Sequence, residues 1–144
     1  SAQEIHEKNA RFAEDAEREI AVIMAAVSET LHITVEAFTT ENLELVERVE
    51  PLEQVVDDLA DAMKLRHVQR LSNGQCTIGQ GFAFNDLLTD LERVSDHCSN
   101  IAVAMIELRV GSFDTHEYLD TELQKRSQNY ERYYQAYQTK YALD

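Results

Sequence analysis

Apolar residues recur at spacings of three, four, seven and eight through the first third of the chain. Ile5, Phe12, Ile20, Ile23, Val27, Leu31, Val35 and Phe38 lay one apolar stripe along a long helix ending near residue 38. Thr39-Thr40 before Glu41 reads as a stop and restart, with an acid in the new first turn. A second helix, to about Leu71, follows from Val49, Leu52, Val56, Leu59 and Met63. Pro51 inside this pattern predicts either a kink or the helix's true first turn, with 41–50 as a separate piece. The stretch SNGQCTIGQG, 72–81, is the one clear loop, and Gly74 is a good helix stop. A third helix, from Phe82 to about Val110, should bury Leu87, Leu88, Leu91, Val94 and Ile101. Asp114-Thr-His-Glu117 resembles a capping box and opens a fourth helix, which continues to about Ala142. No strand pattern competes. Four long helices with short connections predict an all-α, antiparallel up-and-down bundle, one domain over residues 1–144.

Composition agrees with this picture and narrows the chemistry. Pro occurs once and Gly four times among 144 residues, so turn and strand chemistry is scarce. Asp and Glu number 27 against 13 Lys and Arg, a net charge of −14. Such a chain repels nucleic acid and anionic lipid and favours cations as ligands. Cys76 and Cys98, with no CxxC and no signal sequence, suit free thiols in a reducing, cytoplasmic setting. The longest unbroken apolar run, Ile20 to Val27, is far short of the roughly 20 residues of a membrane span, so no direct insertion of this chain is expected. The start at Ser1-Ala2, without Met, reads as a piece cut from something longer. All six tyrosines, Tyr118, Tyr130, Tyr133, Tyr134, Tyr137 and Tyr141, lie in the fourth helix. They could form a docking surface, but packing through rings whose hydroxyls reach water is the preferred reading.

The informative pattern is a doubled acid ladder. Residues four apart on a helix sit about 40° from each other, so Glu92 and Asp96 share a strip beside the core face of Leu88, Leu91, Cys98 and Ala102. The second helix repeats this with Glu53 and Asp57, and Glu50 and Asp61 share their strip. If the two helices are neighbours, four carboxylates converge. Their repulsion must then raise at least one pKa or be neutralised by a cation. Oxygen donors suit hard ions such as Mg²⁺, Ca²⁺, Mn²⁺ or iron. Spacing alone favours the plainer reading, in which these acids are simply solvated.

Other chemistries fail on residue placement. A ferritin-like di-iron site needs two ExxH pairs, and only Glu29–His32 has that spacing; the two read better as neighbours on a helix surface. His97 and Cys98 point about 100° apart and cannot act as base and thiolate. GQCTIGQG matches neither the GxxxxGK[ST] nor the GxGxxG phosphate cradle.

DLERVSDHCSNIA, 90–102, strongly resembles the signature of the PhoU domain, whose third helix typically reads like LERIGDHA.NIAE. Upstream, LEQVVDDL at 52–59 looks like that family's second acidic motif. RHVQRL at 66–71, the Cys76 loop and GFAFNDLL at 81–88 resemble the PhoU-like cytoplasmic tail of bacterial sodium-dependent phosphate cotransporter-family proteins. The resemblance covers roughly residues 5–110. It implies a three-helix PhoU-like repeat followed by a C-terminal helix at about 114–142. It also implies a regulator of phosphate uptake rather than an enzyme, working with a membrane-embedded transporter portion or a phosphate-regulon protein. Carried over residue by residue, the metal ligands are Glu53, Asp57, Glu92 and Asp96, for iron, zinc or manganese. Free-standing members carry two repeats where this chain has one, so a homodimer could do the work of two. Pro51 beside the first pair, and Ser95 and Cys98 in place of the common Gly and Ala, depart from the pattern. The rival readings are a metal-free dimerisation or scaffold bundle and, last, a metal-dependent hydrolase.

Overall fold

The computed structural model describes the backbone of residues 2–110 and 116–144 and the side chains of 2–4, 14–109 and 128–144. Four helices make up the described chain, with no strand: α1 (Ala2–Thr40), α2 (Leu43–Ser72), α3 (Ile78–Val110) and α4 (His116–Lys140). The expected contributions of Ile5, Phe12 and Tyr118, and the capping-box start at 114–117, lie outside the described residues.

The first turn pivots on two residues. Glu41 takes a left-handed φ of 55°, and the Asn42 N–H reaches back to the Ala37 carbonyl at 3.1 Å. The Asn42 side chain then accepts from the Glu44 N–H at 3.0 Å and caps α2. No separate piece precedes Pro51: α2 runs unbroken through it. The proline deletes one backbone donor, and its ring is wholly buried. At the far end Gly74 adopts φ +70° and donates to the Leu71 carbonyl, closing α2 where the sequence places its stop.

The third helix starts four residues before Phe82. The Thr77 hydroxyl accepts from the Gln80 N–H at 3.1 Å, and the Gln80 side chain accepts from the Thr77 N–H at 2.9 Å. This reciprocal capping box draws Gly79 and Gly81 into the helix despite their low propensity. A Cβ on Gly81 would stand 3.2 Å from Nε2 of His67, so the bare glycine permits this close crossing of α3 over α2.

α2 is the central rod, packing against α1, α3 and α4, while α1 also packs on α3. Leu52, Val56 and Met63 of α2 meet Ile23 and Ala26 of α1 and Leu88 and Cys98 of α3 in the core. Two apolar predictions fail here. On α1, Leu31, Val35 and Phe38 are exposed; the buried face is Ala16, Glu19, Ile23, Ala26, Thr30, Ile33 and Ala37. Thr30 and Thr34 tolerate burial because their hydroxyls donate to carbonyls one turn back, at 2.8 and 2.7 Å. Glu19 tolerates it because Arg70 donates to it, with Arg66 at 3.3 Å. On α3, Leu88 and Leu91 are buried but Leu87, Val94 and Ile101 are partly open. By length and composition the stretch Glu14–Thr40, with mean hydropathy 1.5, could cross a membrane, which the unbroken run Ile20–Val27 understates. Within the bundle it is a core helix with a buried ion pair.

A carboxylate cleft between α2 and α3

Antiparallel packing of α2 on α3 brings both acid ladders to one seam. Glu53 and Asp57 from α2 and Glu92 and Asp96 from α3 line a single open cleft of about 280 Å³, with Thr89 and Arg93 at its edge. The four residues singled out by spacing therefore face one space. Each lies one step around its helix from a buried residue, Leu52, Val56, Leu91 or Ser95; Glu53, Asp57 and Glu92 are half-buried there, while Asp96 is exposed.

The electrostatics follow from that confinement. Partial burial raises Glu53 to about 8, reinforced by its hydrogen bond with Asp57 and by the charges of Asp57, Asp96 and Glu50. Asp57 is raised too, by burial and by the charges of Glu92, Asp61 and Asp96, partly offset by the hydrogen bond from Glu53. The pair thus shares a proton across much of the neutral range. The third carboxylate is neutralised differently, since Lys64 Nζ stands 2.7 Å from Glu92 Oε1. Lys64 was not among the residues that spacing flagged. The signal was present, because position 64 continues the strip of Asp57 and Asp61 by one further turn.

The donor set is all oxygen and anionic, which fits a hard cation. Among the described residues, however, no three Asp, Glu, His or Cys side chains stand close enough to chelate one ion as they are placed. Lys64 holds Glu92 in the role a cation would otherwise fill.

The remaining candidates resolve into structural roles. Glu29 and His32 stand one turn apart on α1 with separate partners: Glu29 accepts from Lys140 Nζ at 2.8 Å and from the Tyr141 hydroxyl, while His32 faces Glu36 at 3.6 Å. Cys98 is buried and His97 exposed, as their angular separation requires. The five described tyrosines pack as an amphipathic face, but their hydroxyls do not simply reach water. Tyr134 donates to Asp58, which pushes its pKa up to about 12, and Tyr141 donates to Glu29. Asn129 adds a 2.9 Å bond to Glu47. The acids of α2 thus divide by face: Glu47 and Asp58 hold α4, while Glu53 and Asp57 face α3.

Among known families, the PhoU domain matches residues 20–105. No curated protein and no solved structure matches the chain.

Proposed function

The chain belongs to the PhoU domain family, a regulatory and non-enzymatic family tied to phosphate transport, and from that premise we propose that it is a cation-binding regulatory module. In this reading it is the cytoplasmic part of a protein like the sodium-dependent phosphate cotransporters, and it acts on the membrane-embedded portion or on a phosphate-regulon partner. The observation that carries the reading is the cleft itself, where four carboxylates meet and burial together with like charge keeps Glu53 protonated up to about pH 8. A group held so far from its ordinary range marks a place where a cation would relieve repulsion.

Glu53 and Asp57 would offer oxygens from α2, and Glu92 and Asp96 from α3. An iron, manganese or zinc ion bound there supplies positive charge that ties the two helices together. Binding releases the proton shared by Glu53 and Asp57 and requires Glu92 to leave Lys64. Because α2 also carries Asp58, the acceptor for Tyr134, a shift of α2 toward α3 is felt at α4.

Isothermal titration of chelator-stripped protein with Mn²⁺, Fe²⁺ and Zn²⁺ tests this. Wild type should bind, and the double variant Glu92→Gln/Asp96→Asn should lose at least tenfold in affinity. Saturating ion at a hundred times Kd should stabilise wild type by about 2.7 kcal/mol. The rival, a metal-free bundle, is favoured by the Lys64–Glu92 pair, which already neutralises one acid. Lys64→Met separates the two. If the cleft takes cations, freeing Glu92 tightens binding; if Lys64 is the permanent counterion, the variant binds nothing and only melts earlier.

A further inference from the structure

The carboxylate cleft is one half of a longer groove. Along α2, Glu53, Asp57, Lys64, Val68 and Leu71 fall within about 60° of arc, so one strip begins with acids and ends with apolar side chains. Along α3, Asp96, Glu92, Thr89, Asn85, Phe82 and Ile78 fall within about 80° and repeat that order. The strips face each other across the α2/α3 seam. Glu53 and Asp57 share the cleft with Thr89, Glu92 and Asp96, Lys64 reaches Glu92 at 2.7 Å, and His67 stacks on Phe84 with ring centroids 4.4 Å apart. That antiparallel register sets Val68 and Leu71 level with Phe82 and Ile78. Val68, Ile78 and Phe82 are 58%, 68% and 67% exposed, so among the described residues the apolar half has no cover. α4 holds α2 by a different face, through Glu47 and Asp58.

An occupant of the whole groove must bring positive charge to one end and apolar side chains to the other. Asp57 and Val68 stand about 17 Å apart along the axis of α2, about three helical turns. One helix lying in the groove spans that distance, with Lys or Arg about three turns from its apolar anchors. Charge selects this occupant over others. Asp61, one strip residue before Lys64, and Asp86, one turn beyond Phe82, edge the apolar half, and the chain as a whole carries −14. An anionic lipid surface would meet those acids. A second copy would bring the same negative charge, and along its own groove only Lys64, held by Glu92, and Arg93 at the edge.

We infer that the α2/α3 groove is the docking site for a basic amphipathic helix of a partner protein. Its Lys or Arg sits among Glu53, Asp57 and Asp96, and its apolar face lies on Val68, Leu71, Ile78 and Phe82. The inference rests on the regulatory reading above, since a membrane-embedded partner carries Lys- and Arg-rich segments at the cytoplasmic ends of its apolar helices. It does not require a metal ion in the cleft. It is therefore tested in chelator, and its failure leaves the outcome of the cation titration untouched.

The probe is a fluorescent helical peptide of about 20 residues, with Lys in its first turns and Leu along one face of its last three. A second peptide has the same composition in scrambled order. By fluorescence anisotropy, wild type should bind the first at least tenfold more tightly than the second. Val68→Gln/Phe82→Gln should weaken binding at least tenfold with unchanged helical circular dichroism, since both side chains are exposed and the variant adds no charge. Asp57→Asn/Asp96→Asn should also weaken it and flatten its salt dependence. The control, Leu31→Gln/Phe38→Gln on the exposed face of α1, should bind as wild type does. Equal binding of the two peptides, or binding that survives Val68→Gln/Phe82→Gln, overturns the proposal. So does binding to phosphatidylglycerol vesicles, or a dimer in sedimentation, that Val68→Gln/Phe82→Gln abolishes, because either gives the groove another occupant.

Discussion

Glu53 concentrates the physics of the cleft in one side chain. Its folded pKa of about 8 lies above the ordinary 4.5, so folding favours its protonated form. Its contribution to stability is therefore complete below pH 4.5 and is lost as pH rises toward 8. The full conversion would approach 5 kcal/mol, but Glu53 is only about half buried; solvent screening reduces the expected loss to about 2 kcal/mol. Glu53→Gln mimics the protonated acid and should remove that slope. His67 works the other way in the same window, because burial lowers its pKa and stability is lost as it protonates. The measurement is thus a difference: urea unfolding of wild type and Glu53→Gln in chelator, from pH 4.5 to 8. The variant should gain about 2 kcal/mol on wild type across that range, and parallel curves would show that folding does not raise the Glu53 pKa.

At the scale of the element, periodicity carries far but does not name the inward side of a mixed helix. The stops at Thr39-Thr40 and Gly74 were legible from local turn and cap chemistry, and the ladders Glu53/Asp57 and Glu92/Asp96 because helical spacing alone determines them. The inward face of α1 was not, because burial there falls on Ala, Thr and Glu, whose polar atoms are satisfied within the helix or by Arg70. Side-chain size pointed instead to Leu31, Val35 and Phe38, which the fold leaves outside. Lys64 was missed because a lone base beside acids reads as solvated until the partner helix is in place. The early start of α3 was hidden by two glycines, yet Thr77-Ile-Gly-Gln80 is a capping box in plain sequence. Thr77→Ala removes the hydroxyl that accepts the Gln80 N–H and should cost about 1 kcal/mol. Amide exchange should then speed up in the first turn of α3 and stay unchanged beyond Leu88; a uniform change would mean that the box does not set the helix start.

Charge gives the whole molecule its most distinctive demand. With −14 per chain, each copy repels another long before their surfaces touch. At 10 mM salt the screening length is about 30 Å, comparable with the separation of two chain centres; at 150 mM it is about 8 Å. The repulsion is therefore largely present in the first case and largely gone in the second, while apolar burial changes little. The sign of the salt effect follows: any self-association of this chain should tighten with salt, by on the order of tenfold or more in Kd between 10 and 150 mM NaCl. Interfaces joined by opposite charges weaken under the same change. Sedimentation equilibrium at the two salt concentrations, in chelator, reads the sign directly. A Kd that rises with salt would mean that the copies meet through paired charges.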